Sequence, residues 1–202
     1  MAAPDDQLTL PLPGLRDWRD DAALRPQPKR AGLDDWATPA CLCAALTHDV
    51  LPTLPPGAVW EPAPGGGALV GAIAAAGRRA VTTTADFKRC AAPAGARILA
   101  TNPPFLAHSM FVERSMALLE SGALDAVVLL FRTDHIQSES RTPPRCRIDA
   151  LNKVAAIFFC PWRPIWIANT SGNGRWGFHW LVWLRAGVEG PHGNRWLTRR
   201  TR

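Results

Sequence analysis

Two short segments of the chain carry residue types whose spacing suits chemistry. The first, Glu61-Pro62-Ala63-Pro64-Gly65-Gly66-Gly67, follows the apolar run Ala58-Val59-Trp60 and precedes a helix-forming stretch from Ala68 to Ala76. A loop that leaves a strand and enters a helix exposes unpaired backbone N–H groups and the positive end of the helix dipole. Glycines in it let a ligand approach the backbone closely. Such a turn holds something small and polar, although three consecutive glycines also suit a tight structural turn. No Lys follows the glycines, which disfavours a nucleoside triphosphate site, and the G-x-G-x-x-G spacing of dinucleotide sites is absent.

The second segment is Asn102-Pro103-Pro104-Phe105, which follows Thr101 and the short strand-like run Arg97 to Ala100. Asn102 is therefore expected at the carboxyl end of a strand, the edge where open α/β sheets hold their ligands. Pro103 forces Asn102 out of helical geometry, and two prolines donate no N–H, so carbonyl oxygens remain free to face a substrate. The Asn102 side-chain oxygen and the Pro103 carbonyl are then two acceptors for the two hydrogens of an amine. An exocyclic amine on adenine is a poor nucleophile because its lone pair is delocalised into the ring. Acceptors on both hydrogens favour a more tetrahedral, reactive nitrogen. Phe105 is suited to stack on the base. A proline-rich turn is the plain structural alternative.

Elements able to position these segments alternate along the chain. Thr38 at a cap and Pro39 in the first turn open a helix carrying Leu42, Ala45 and Leu46, and Pro52, Pro55 and Pro56 end it. Strands are expected at 58–60, 79–84, 97–100, 124–131, 154–159 and 178–184, with helices at 68–76 and 107–120. This order implies an α/β fold with a mostly parallel central sheet, its last two strands pairing as an antiparallel hairpin. Residues 1–33, rich in Pro, Asp and Arg, read as a flexible arm, 34–188 as the folded domain and 189–202 as a basic, irregular tail.

The 202 residues, 47% hydrophobic and 20% charged, exclude wholesale disorder, a collagenous chain and a coiled coil. A balance of 23 Lys and Arg against 17 Asp and Glu, +6 overall, favours a polyanionic partner. No apolar run approaches a membrane span, and the acidic N-terminus is not a signal peptide, so a cytoplasmic protein with no membrane partner is expected. Five cysteines without a CxxC pair imply neither a disulfide framework nor a zinc knuckle, and no metal site is expected. Nine Trp and seven Phe stand beside no Tyr at all. Trp180 and Trp183 lie on an apolar strand and are expected in the core.

Taken together, the two segments resemble those of class I amino-methyltransferases with an [DNS]-P-P-[FYW] motif, in particular small phage-type N6-adenine DNA methyltransferases. The resemblance spans roughly residues 34–187. Asp35-Trp36-Ala37-Thr38-Pro39 is similar to the family's N-terminal donor-binding motif, Glu61 to Gly67 to its first motif and Thr101 to Phe105 to its catalytic motif. Trp162-Arg163-Pro164-Ile165-Trp166 and Trp180-Leu181-Val182-Trp183 resemble the ending of short members. The resemblance implies a Rossmann-like fold and S-adenosylmethionine as cofactor. It implies that Trp36 and Thr38 contact the methionine portion of that donor, Glu61 its amino end, and the loop at Pro62, Ala63, Gly65 and Gly67 wraps it. Asn102, Pro103, Pro104 and Phe105 would hold the target amine. Asp86-Phe87 is the one candidate for the donor's ribose or adenine, in a stretch shorter than the family's.

DNA is the implied partner, with RNA as an alternative, and no segment is long enough for a separate target-recognition domain. Recognition then falls to loops: Arg132, Arg141, Arg145, Arg147, Arg199 and Arg200 as phosphate partners, Trp162, Trp166 and Trp176 around a loop suited to stacking on bases, and Arg163 as a further substrate contact. Other readings keep the chemistry on RNA, guanine amino groups or protein glutamine, or keep the fold without turnover as a basic DNA-binding protein.

Overall fold

The computed structural model describes residues 37–134, 150, 152–166, 174 and 176–199. The expected arm at 1–33, Trp36, and the loop arginines Arg141, Arg145 and Arg147 lie outside them, as does Arg200.

Seven strands form one sheet: β1 (Ala58–Glu61), β2 (Ala80–Thr82), β3 (Ala96–Thr101), β4 (Ala126–Arg132), β5 (Ala156–Phe159), β6 (Phe178–Leu184) and β7 (Gly193–Trp196). Their spatial order is β2-β1-β3-β4-β6-β5-β7. β2, β1, β3 and β4 run parallel, β6 is antiparallel to both β4 and β5, and β7 is parallel to β5. The fold is thus a Rossmann-like α/β sheet with the expected hairpin of β5 and β6 inserted so that β6 meets β4. One element differs from the sequence expectation. The supposedly irregular tail carries β7, which pairs Ala156 with Gly193 through Phe159 with Trp196. All four of its residues are exposed, so no buried alternation marked it as a strand.

The two faces of the sheet follow from the period-two alternation of side chains. Val59, Ile98, Val128, Trp180 and Val182 face one side, under α1 (Ala40–Ala45) and α2 (Ala68–Ala75). Trp60, Leu99, Val127, Leu181 and Trp183 face the other, with Phe111, Val112, Leu118 and Leu119 of α3 (His108–Glu120). β4 is buried on both faces, which accounts for its uninterrupted apolar sequence.

Thr38 does not cap α1. The cap is Pro39, whose carbonyl accepts the N–H groups of Leu42 and Cys43, and Thr38 is buried one residue earlier. Beyond α1 the helix widens into a π-turn at Leu46–Val50, where the Thr47 hydroxyl donates back to the carbonyls of Cys43 and Ala44. A 3-10 turn at Leu51–Thr53, with Pro52 near its start, ends the segment.

At the edge opposite the glycine loop, Asp125 takes side-on bonds from Arg97 at 2.6 and 2.7 Å and further bonds from Arg185. Partial burial pushes this carboxyl up, but Arg97 and then Arg185 outweigh it and hold it below the usual carboxylate range. The trio ties β3, β4 and β6 together.

The tryptophan excess resolves into core and rim. Trp60, Trp180 and Trp183 are fully buried, and each indole N–H has an acceptor: the Thr83 hydroxyl at 3.2 Å, the Leu42 carbonyl at 3.3 Å and the Ala150 carbonyl at 2.7 Å. Tyrosine in these places would need a partner at a different reach. Trp180→Phe, which removes the indole bond to the Leu42 carbonyl and leaves a void, is expected to cost about 2–4 kcal/mol in urea unfolding. Trp196→Phe, at a side chain 74% exposed, is expected to cost under about 0.5 kcal/mol. Equal costs would contradict the assignment of Trp180 as a link between β6 and α1.

Candidate functional site

β1 and β3 are parallel neighbours, with Val59 beside Ile98 and Trp60 beside Leu99. Their carboxyl ends therefore emerge together, Glu61 from one and Thr101-Asn102 from the other. Between them lies a cleft of about 460 Å³, counting its open mouth. Thr38, Glu61, Ala63 and Gly65 line one part of it, and Asn102, Pro103, Pro104 and Phe105 another. Three segments far apart in sequence thus share one crevice at the ligand-binding edge of an α/β sheet.

Glu61 is only 1% exposed. One of its carboxylate oxygens accepts the Ala63 N–H at 2.9 Å, which turns the chain out of β1. Burial pushes the carboxyl up to about 8, opposed in part by the Thr101 hydroxyl and the Ala63 N–H. Among the described residues no Lys, Arg or His pairs with it. A buried acid in this state is prepared to gain its charge when a cation enters the cleft.

The loop after Glu61 closes through a Gly67 N–H to Pro64 carbonyl bond of 2.7 Å, and Gly67 then caps α2 with φ of 80°. A Cβ at Gly67 would meet nothing within 4 Å, so backbone conformation rather than space requires glycine there. Pro62 is buried beneath the loop. On the other side, Asn102 lies just past β3, Pro103 is buried, and the Pro104 carbonyl accepts the Ala107 N–H at 3.0 Å to start the turn into α3. Phe105 is half-buried, edge-on to Trp166 at 5.9 Å and tilted against Phe178 at 6.4 Å.

Cys43 sits against this site, its thiol donating to the Thr38 carbonyl at 3.5 Å. Burial first, then the negative charges of Cys41 and Glu61, push that thiol up to about 12, so it stays protonated and is no nucleophile at neutral pH.

Other expected site residues lie elsewhere. Asp86 and Phe87 do not line the cleft. Asp86 is exposed and accepts the Lys88 N–H at 3.1 Å in a local turn. Phe87 is a core side chain, stacked on Phe111 at 4.4 Å and edge-on to Trp60 at 5.4 Å. Arg132, read as a phosphate partner, is 8% exposed and paired side-on with Asp134, so its charge is already engaged. Arg163 is exposed, while Trp166 and Trp176 are half-buried. Sequence reading missed Leu69 and Asp134, and gave Thr101 no role beyond its place in the catalytic motif. Thr101 had a usable signal, a polar residue ending an apolar strand next to the strand that ends in Glu61.

No protein-family model matches the chain. No curated protein sequence matches it either. Among solved structures it is similar to the crystal structure of the 23S rRNA methyltransferase ErmE, with a TM-score of 0.45 and 13% identity over 74% of this chain and 68% of that one. Among the described residues no helix is long and apolar enough to cross a membrane.

The raised Glu61 carboxyl has a measurable consequence. Between its ordinary value of 4.5 and about 8, the folded chain keeps a proton that the unfolded chain has released, so this group makes stability fall as pH rises through that window. Glu61→Gln removes the effect. Thermal unfolding is expected to show the variant gaining on the unaltered protein steadily from about pH 5 to pH 8. A difference that does not change with pH would contradict the buried, unpaired state of Glu61.

Proposed function

We propose that the protein is an S-adenosylmethionine-dependent methyltransferase acting on the N6 amine of adenine in DNA. The observation that carries this reading is the meeting of Thr38, Glu61 and the glycine loop with Asn102-Pro103-Pro104-Phe105 in one cleft. One side offers a buried acid without a cationic partner among the described residues; the other offers two oxygen acceptors and an aromatic ring.

The residues fit the donor by their chemistry. Glu61 would hold its amino end, where a positive charge offsets the cost of ionising the buried carboxyl. Thr38 and the loop from Ala63 to Gly67 would hold the remainder. When bound, S-adenosylmethionine supplies an electrophilic methyl group on a sulfonium sulfur. The Asn102 side-chain oxygen and the Pro103 carbonyl would accept the two hydrogens of the amine, raising the nitrogen's tetrahedral character and aiming its lone pair. The same two acceptors would stabilise the positive charge that the amine nitrogen would carry on taking the methyl group, and the proton it then sheds would pass to water. No general base is required beforehand. Phe105 would stack on the base, which has to leave a duplex to reach the cleft. The +6 charge of the chain supports a polyanionic substrate.

Radiolabelled donor offered in parallel to DNA, RNA and protein tests the reading, with label expected in DNA as N6-methyladenine. Label confined to RNA or protein would overturn the substrate, and absence of both transfer and donor binding would overturn the activity in favour of a non-catalytic DNA-binding protein. Asn102→Ala is expected to lower transfer about 100-fold or more while donor affinity stays within about threefold. Unchanged turnover would remove Asn102 from its role.

A further inference from the structure

We propose that Arg132 is a positioning residue, holding the Phe105 ring in the attitude that stacks a target base; the inference rests on the amine-methylating function proposed above. Arg132 ends β4 and is paired in register with Phe178 of β6. Its guanidinium carbon lies 5.6 Å from the centroid of the Phe105 ring and 4.8 Å from that of Trp176, within the range of cation–π attraction. Asp134 takes two parallel bonds from it, from Nε and from one terminal nitrogen. The side chain of Arg132 is 10% exposed and that of Asp134 45%, so the pair sits with the cation inward and the acid toward solvent.

The backbone beneath this pair is tightly braced. The Thr133 N–H donates to the Gly177 carbonyl at 3.0 Å, and a Cβ at Gly177 would come within 2.6 Å of the Thr133 hydroxyl, so a side chain there would displace that hydroxyl. The Thr133 hydroxyl meets His179 Nε2 at 3.0 Å, while His179 Nδ1 accepts the Cys160 N–H at 3.4 Å. That acceptor role leaves the ring proton on Nε2, directed at Thr133. Arg132 therefore projects from a frame fixed on both sides.

Phe105 has no polar handle of its own, and only its neighbours decide how the ring tilts. Arg132 bears on it electrostatically, Trp166 meets it edge-on, and Phe178 lies tilted at 6.4 Å. The ring still borders the cleft. An Arg held as a planar fork between a carboxylate and two aromatic faces is suited to this task, with the edge formed by Nε and one terminal nitrogen already given to Asp134.

The test uses the full-length protein and the variants Arg132→Met and Arg132→Lys. Proton NMR of the Arg132 Nε–H is expected to show a ring-current shift in the otherwise unaltered protein that Phe105→Leu diminishes, an outcome read without any turnover. In methylation of DNA, Arg132→Met is expected to lower kcat about 10- to 100-fold, with the KM for DNA and the Kd for S-adenosylmethionine each within about threefold of the original. Arg132→Lys, which keeps a cation but loses the fork, is expected to recover part of that loss. A raised KM with a weaker salt dependence and an unchanged kcat would make Arg132 a phosphate contact and overturn the proposal, as would an unshifted Nε–H or normal turnover by Arg132→Met. Failure of the unaltered protein to methylate any polynucleotide would overturn the function itself, an outcome distinct from normal transfer by the variant.

Discussion

The arrangement of the cleft depends on one buried carboxylate. Glu61 stands at the end of β1, where it accepts the Ala63 N–H and where burial pushes its carboxyl up to about 8. That bond turns the chain away from the sheet, and the glycine loop follows from the turn. Without a cation nearby the group is costly to ionise, so its presence at a sheet edge, rather than at the surface, demands an explanation beyond stability. Under the proposed function a positively charged ligand would supply one, and the Asn102 segment on the adjacent strand would supply a reason for that ligand to be there.

The rest of the fold serves to bring those two strand ends together. Side-chain alternation sends Val59 and Trp60, and likewise Ile98 and Leu99, to opposite faces, so β1 and β3 are clamped from both sides and their ends are fixed in register. Farther along the sheet, the insertion of β6 between β4 and β5 brings Phe178 and Arg132 side by side. The aromatic rim about Phe105 is built on that pairing. Trp180 and Trp183, from the same strand, close the core on its two faces, which is why one strand accounts for two of the three fully buried tryptophans among the described residues.

Much of this was legible in the sequence, for identifiable reasons. The glycine loop and Asn102-Pro103-Pro104-Phe105 announce themselves because their chemistry is local: φ above zero at Gly67, missing donors at two prolines. The strands buried on both faces are legible as apolar runs. Features decided by tertiary pairing were not. Thr38, which the resemblance also names as a donor contact, lines the cleft but does not cap the helix, because the Pro39 carbonyl starts it. Arg132 reads as a surface cation because nothing in the sequence shows that Asp134 folds back onto it or that Trp176 covers it. Phe87 reads as part of a ligand motif, yet it fills the space between Trp60 and Phe111. β7 carries no buried side chain of its own and depends wholly on pairing with β5.

The claim that Glu61 awaits a cationic ligand is tested most directly by titration calorimetry of S-adenosylmethionine at pH 7 in buffers of different ionisation enthalpy. A carboxyl at about 8 is mostly protonated there, so binding that ionises it is expected to release about one proton per site, and Glu61→Gln to release none from this group. Binding without proton release, or release that persists in Glu61→Gln, would contradict the account.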